Sequence, residues 1–260
     1  MNWDKYFIAF LAAFAVGLIT WVISVIKKDV SIVDSVWSLM FVAGGAVFFF
    51  DQDMTVRSQI IFGLLVVWAA RLSIHITLRS WGEEEDHRYQ SIRSKYQPHF
   101  AIKSLFIIFL FQVVLASIVL MPVAYALSTN AAWSDFDYVA AALVLFGIAY
   151  ESMADYQLQA YKSTSENKSG VLNTGLWKYS RHPNYFGESI VWWGLFIFAA
   201  VQGDYISIIS PLLMTFLLLK FSGVGLMEED ITDRRPAYQQ YILSTNAFIP
   251  GPKKTTSQEI

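Results

Sequence analysis

The chain has 260 residues, of which 55% are hydrophobic and only 15% charged, with a net charge of -2 and a mean hydropathy of +0.42. A soluble domain is about a quarter charged, so this composition excludes one and points to a polytopic membrane protein. The near-neutral balance leaves no electrostatic footprint for nucleic acid, and the absence of cysteine removes thiol catalysis, disulfides and thiolate metal ligation.

A helix crosses the hydrocarbon with roughly 20 mostly apolar residues. Seven stretches meet that test in chain order: Tyr6–Ile26, Ile32–Phe50, Ile60–Leu78, Leu105–Leu127, Tyr138–Tyr161, Tyr185–Val201 and Ile206–Leu226. The first is too long for a cleavable signal peptide and no small-residue cleavage site follows it. Pro122 and Pro211 fall inside spans, where a missing backbone donor kinks or breaks the helix. The expected fold is all-α: a bundle of seven transmembrane helices forming a single domain over residues 1–254, with a frayed tail at 255–260.

Basic residues set the orientation. Numbering the connections alternately puts Lys27, Lys28, Arg79, Arg88, Arg93, Lys95, Lys103, Lys162, Lys168, Lys178, Arg181, Arg234, Arg235, Lys253 and Lys254 on one side. The other side holds Lys5 and Arg57, and Arg71 and Lys220 lie within spans. Because cytoplasmic loops carry the excess of Lys and Arg, the N-terminus is expected outside and the C-terminus in the cytoplasm. Six or eight crossings would destroy this alternation. Chemistry on a charged soluble cofactor therefore belongs on the cytoplasmic face.

Ionisable side chains inside a membrane are costly, and they mark function or a partner. Four clusters stand out. Ser31, Asp34 and Trp37 share one face at the start of the second span; Asp34 either favours the positive end of the helix or donates a proton. Trp68, Arg71, His75 and Arg79 form a stripe on the third span, readable as a cationic wall or as structural groups, with Arg71 paired to Asp34. Glu151, Asp155, Leu158 and Lys162 end the fifth span, as a salt-bridge series or as a clasp for ribose hydroxyls or an amide. The connection Gly175–Glu188 is the most specific: Pro183 suits a first helical turn, and it places Asn184 at a helix start that suits phosphate. Tyr179, Ser180, Arg181 and His182 precede it, and Tyr185 and Glu188 follow. Asp86, Arg88 and Tyr89, in an otherwise solvated acidic loop, are placed to fold over a ligand. The scattered histidines at 75, 87, 99 and 182 make no di-iron box, and zinc, Walker and GxGxxG motifs are missing. No metal is expected.

Arg181-His182-Pro183-Asn184-Tyr185-Phe186-Gly187-Glu188 with Trp192 resembles a signature shared by membrane steroid 5-alpha-reductases and isoprenylcysteine carboxyl methyltransferases. Val33-Asp34-Ser35-Val36-Trp37, Arg71-Leu72 with His75 and Arg79, Glu85-Asp86-His87-Arg88-Tyr89, and Arg235-Pro236 with Tyr238, Tyr241, Thr245 and Phe248-Ile249-Pro250 extend the resemblance. Over roughly residues 30 to 250 the chain is similar to the bacterial steroid 5-alpha-reductase-like branch.

The resemblance implies a multi-pass protein of the bacterial cytoplasmic membrane that binds NADPH from the cytoplasm and admits a lipophilic enone, such as a 3-oxo-delta-4 steroid, from the bilayer. Hydride would pass to the β-carbon of the enone. By position, Asp34 would polarise the carbonyl, with Trp68 standing where those reductases carry a tyrosine, and His75 beside them. Arg71, Arg79, Arg88 and Tyr89 would line the cofactor cleft; Glu151 and Asp155 would hold polar groups of the nucleotide and Lys162 and Lys168 its phosphates. Tyr179, Ser180, Arg181, His182, Asn184, Tyr185 and Glu188 would complete the cofactor site. Those reductases also carry an arginine and histidines after the last span, where this chain has Met227-Glu228-Glu229-Asp230. The runner-up reading is an S-adenosylmethionine-dependent methyltransferase of a lipid or isoprenoid; a third is a non-enzymatic lipid-binding or transport protein.

Overall fold

The computed structural model describes residues 2–51, 53–164, 170–220 and 237–254. All regular structure among them is helical: α1 Trp3–Lys27, α2 Ile32–Phe49, α3 Val56–Ser80, α4 His87–Lys95, α5 Phe100–Ser104, a π-helical turn Leu105–Leu110, α6 Phe111–Leu127, α7 Asp135–Ser163, α8 Pro183–Ala200, α9 Ile209–Lys220 and α10 Ala237–Ser244. Short 3-10 turns occupy Gly175–Lys178 and Ile206–Ile208.

Among the described residues, five stretches are long and apolar enough to cross a membrane: α1, α2, α3, the continuous Phe100–Leu127, and α7. They correspond to the first five expected spans, with α2 ending at Phe49, one residue short of the expected bound. The sixth expected span forms α8, 18 residues beginning at Pro183, and its polar first turns Pro183–Glu188 dilute its hydropathy. The seventh is represented by the shorter apolar run Ile206–Lys220. The remainder of that span, Lys168, Met227–Asp230, Arg234, Arg235 and the tail 255–260 lie outside the described residues.

Helix ends follow local chemistry. Asn2 caps α1 by accepting from the N–H groups of Asp4 and Lys5, and Lys28 closes it in the left-handed region at φ 57°. Thr55 caps α3 through Ser58 N–H. This cap starts α3 earlier than hydropathy alone suggests and draws Arg57 into the helix.

The chain divides into two compact units. The first comprises Met1–Asp137 and Phe196–Ser210, the second Tyr138–Leu195 and Pro211–Ile260. In the first, α2 packs on α1, α3 and α6, and Phe41, Phe48, Ile61, Leu65 and Trp68 are fully buried. Ser38 Oγ ties α2 to α3 by donating to Ala69 O at 2.8 Å. α1 runs antiparallel to Phe100–Leu127, joined by Tyr6 donating to Ser117 O and by Trp21 Nε1 donating to Ala101 O at 2.8 Å.

One end of this unit closes around Arg57. Its Nε and Nη2 donate to Asp137 Oδ1 at 3.1 and 3.0 Å, Nη1 to Ala126 O at 3.1 Å, and Nη2 also to Phe198 O at 2.6 Å. Asp137 Oδ2 in turn accepts from Ser134 N and Oγ. Turned so that its amide oxygen faces the guanidinium, Gln202 accepts from Arg57 as well. A buried arginine is tolerable only when its donors are paired in this way.

In the second unit α7 and α8 approach backbone to backbone. A Cβ on Gly187 would lie 2.7 Å from Glu151 N, and one on Gly147 would lie 2.7 Å from Gly187 O. Only glycine permits this crossing, the small-residue contact that membrane helices favour.

Candidate functional site

Asp34 sits in the first turn of α2. Helix α4 is placed against it: Tyr89 donates its hydroxyl to Asp34 Oδ1 at 2.6 Å and Arg88 Nη2 donates to Oδ2 at 3.0 Å. Arg88 is shared with Asp86, whose carboxylate caps α4 and accepts from Arg88 Nε at 3.0 Å. The Arg88 guanidinium also lies 5.6 Å from the Tyr89 ring centroid. Tyr89 is buried whereas Arg88 is exposed, so the carboxylate has a sheltered neutral donor on one oxygen and a solvent-facing cation on the other.

A second clasp fixes the approach to α4. Arg93 Nε and Nη2 donate to Glu85 at 2.8 and 2.7 Å, Glu85 Oε1 accepts from Val30 N at 2.9 Å, and Arg93 also donates to Lys28 O. The segment is thereby pinned to the turn between α1 and α2.

The charges here are mutually stabilised. Burial opposes ionisation of Glu85 and Asp86, yet hydrogen bonds from Arg93 and Val30, and from Arg88, hold both carboxyls below their ordinary values. Burial likewise works against Arg88, but Asp86 and Asp34 outweigh it and raise its pKa. Tyr89 is pushed well above the usual phenol value, first by burial and then by the Asp34 charge.

The second unit holds another polar cluster. Glu151 and Asp155, one turn apart on α7, are buried, as is Glu188 on α8. Asn184, one turn before Glu188, donates from Nδ2 to Asp155 Oδ1 at 3.1 Å. The glycine crossing brings these faces together. Its residues are two buried acids of α7 and an amide and an acid of α8. Asn184 Oδ1 is buried and accepts no hydrogen bond among the described residues. Beside them, His182 and Tyr185 stack at 5.5 Å with rings 7° apart.

Several expected site residues have other work. Trp68 is fully buried and packs edge to face on Phe41 at 5.6 Å. Asp34 pairs with Arg88, not with Arg71. Arg88 and Tyr89, expected on the cofactor, engage Asp34. Ser180 is fully buried, its hydroxyl donating to Phe248 O at 2.8 Å and accepting from His182 N at 3.1 Å. Arg181 donates to Ile242 O and Thr245 O, carbonyls at the end of α10, and its N–H donates to Asn246 O. Both therefore bind the chain after α10 to the signature loop. Tyr241 joins them by donating to Trp177 O, and Trp177 Nε1 donates to Ala154 O of α7 at 3.0 Å.

Of the remaining expected residues, Arg71 and His75 are half-buried, Arg79 and Lys162 exposed, and Tyr179 is exposed in the loop. Among the described residues no group of three or more His, Cys, Asp or Glu is placed to hold a metal ion. The sequence reading missed the Arg57–Asp137 pair and the Glu85–Arg93 clasp. Their partners are 80 and eight positions apart, and only a buried arginine at the start of an apolar helix signals the first.

Fold and site together define a membrane-type helical protein with a carboxylate site at the head of its second helix and a buried amide-carboxylate cluster between its seventh and eighth. The chain belongs to the family described as protein of unknown function DUF1295, whose model matches residues 20–245. It is similar to an uncharacterized protein of Schizosaccharomyces pombe, 24% identical over 280 residues that cover 96% of this chain and 80% of the relative. No solved structure matches it.

Proposed function

We propose that this protein is an integral membrane reductase that uses NADPH to saturate the conjugated C=C bond of a lipophilic enone, of which a 3-oxo-delta-4 steroid is the model. The observation that carries the reading is Asp34, a carboxylate at the head of a membrane helix held by a buried tyrosine hydroxyl. The steroid 5-alpha-reductase-like pattern across the chain supports it. We extend the reading to seven crossings in one catalytic domain, with the N-terminus outside and the C-terminus in the cytoplasm of a bacterial cell.

The residues of the second unit fit a nicotinamide cofactor. The unengaged Oδ1 of Asn184 is an acceptor suited to a carboxamide N–H or ribose hydroxyl, and Glu151, Asp155 and Glu188 offer further acceptors. His182 and Tyr185 present a stacked aromatic pair, and exposed Lys162, with Lys168, would meet phosphate. By the resemblance, Arg71, His75 and Arg79 would also line the cofactor cleft. When bound, NADPH would supply the hydride for the β-carbon of the enone.

The protein's own task is the oxygen and the proton. As the β-carbon gains hydride, charge gathers on the carbonyl oxygen, and a hydrogen-bond donor aimed at it lowers the barrier. Tyr89, turned from Asp34 to that oxygen, is such a donor. Asp34, protonated, would then hold the phenol oxygen by donating to it, and after hydride transfer the α-carbon takes a proton from water to complete the reduction. Tyr89 thus fills the role that the resemblance gives to a tyrosine at the Trp68 position.

Thermal melting of the purified protein with NADPH, NADH and S-adenosylmethionine in parallel tests the reading. Stabilisation by NADPH is expected, and Asp34→Asn should slow enone reduction at least tenfold, about 1.4 kcal/mol of barrier, with that stabilisation retained. Selective stabilisation by the methyl donor would instead make the chain a lipid or isoprenoid methyltransferase, and indifference to all three a lipid-binding or transport protein.

A further inference from the structure

The reductase reading leaves unused a groove of about 270 Å³ between α1 and the π-helical turn, lined by Phe7, Phe10 and Phe14 on one wall and Leu105, Phe106 and Leu110 on the other. Phe10 stacks on Phe7 and on Phe14, with centroids 6.4 and 6.3 Å apart. The result is a continuous aromatic wall. The facing wall is the one π-helical stretch among the described residues; π-helical turns often occur at functional sites.

Beyond the groove, each wall continues to a lysine. Seven residues bring a helix back to nearly the same face, about 20° off, so Phe7, Phe14 and Trp21 form one stripe that ends at Lys28, the cap of α1. On the other wall Lys103 stands three and seven positions before Phe106 and Leu110. Trp21 Nε1, donating to Ala101 O at 2.8 Å, joins the two walls at this end. Lys28 and Lys103 are exposed. Neighbouring acids are already engaged: Asp29 with Ser31 N and Oγ, Glu85 with Arg93 and Val30 N. From Lys28 to Phe14 the stripe runs about 21 Å at 1.5 Å per residue, the reach of a glycerolipid from its phosphate well down an acyl chain. A purely apolar slot suits a greasy occupant, and two exposed lysines beyond it on the same side, with no ion pair among the described residues, suit a negative headgroup.

We infer that the first unit carries a site for one anionic phospholipid, its acyl chain in the aromatic groove and its phosphate between Lys28 and Lys103. The site is independent of the reductase reading. Delipidated full-length protein in detergent is offered phosphatidylglycerol or phosphatidylcholine of identical acyl chains, with retention read by native mass spectrometry and stability by melting. One phosphatidylglycerol is expected to be retained with a preference of about thirtyfold over phosphatidylcholine, the scale of two interfacial cations. Lys28→Gln with Lys103→Gln should bring that preference near unity, whereas the matched pair Lys178→Gln with Lys253→Gln should leave it intact. Leu110→Trp, which fills the groove, should weaken retention of both lipids. Equal retention by the unaltered protein, a preference that survives loss of Lys28 and Lys103, or a filled groove that retains lipid as before would each overturn the proposal. So would inorganic phosphate alone reproducing the melting shift.

Discussion

Arg57 is 2% exposed and Asp137 is not exposed at all, so removing either leaves the other without its partner where water does not reach. Breaking a buried pair from one side costs about 3–5 kcal/mol. Arg57→Met should therefore lower the melting temperature in micelles far more than Lys5→Met, whose partner Asp51 is half-solvated. Arg57→Lys should recover little, since one ammonium cannot serve Asp137, Ala126 O and Phe198 O together. A melting temperature unchanged by Arg57→Met would mean that the pair contributes nothing. None of this was legible along the chain, where Arg57 looks like one of two stray outer cations. Asp34 was legible as unusual, because an acid one turn inside an apolar run stands out. Its partners were not, since Arg88 and Tyr89 are 54 and 55 residues away.

At the scale of the element, α4 is a nine-residue polar helix, too short to be stable by itself. It persists because Glu85 and Asp86 anchor its start to Arg93, Val30 and Arg88. Both carboxyls lie below their ordinary values in the folded protein, so their stabilisation is complete above an unfolded pKa of about 4 and fades as pH falls through the folded value. Amide exchange, corrected for intrinsic rate, should find α4 protected near pH 6 and losing protection below about pH 4, ahead of α2. Glu85→Gln should loosen α4 throughout that range. Protection indifferent to both pH and Glu85→Gln would place the anchor elsewhere. The sequence marked this stretch as an acidic solvated loop with three residues that could cover a ligand. That two of them, Arg88 and Tyr89, reach Asp34 is a tertiary fact, because a short polar segment carries no record of which helix it will meet.

For the whole molecule, the proposed seven-crossing topology makes a direct prediction. The chain has no cysteine, so single cysteines introduced at Asp53 and at Lys253 report sidedness without background. An impermeant thiol reagent outside intact cells should label the first and not the second. Labelling of both from outside would require an even number of crossings between them.

Hydropathy by itself determined the membrane class and the first five helices, because the cost of unpaired backbone in hydrocarbon forces each long apolar run into a helix. Composition equally determined that polar groups would be scarce enough to notice. Tertiary structure decided what those groups do. It put Trp68 in the core, spent Ser180 and Arg181 on the backbone after α10, and brought Tyr89 to Asp34. Apolar burial needs only the right periodicity, which a sequence carries locally, whereas a hydrogen bond needs a particular donor within about 3 Å of a particular acceptor. Only the packed chain fixes that distance.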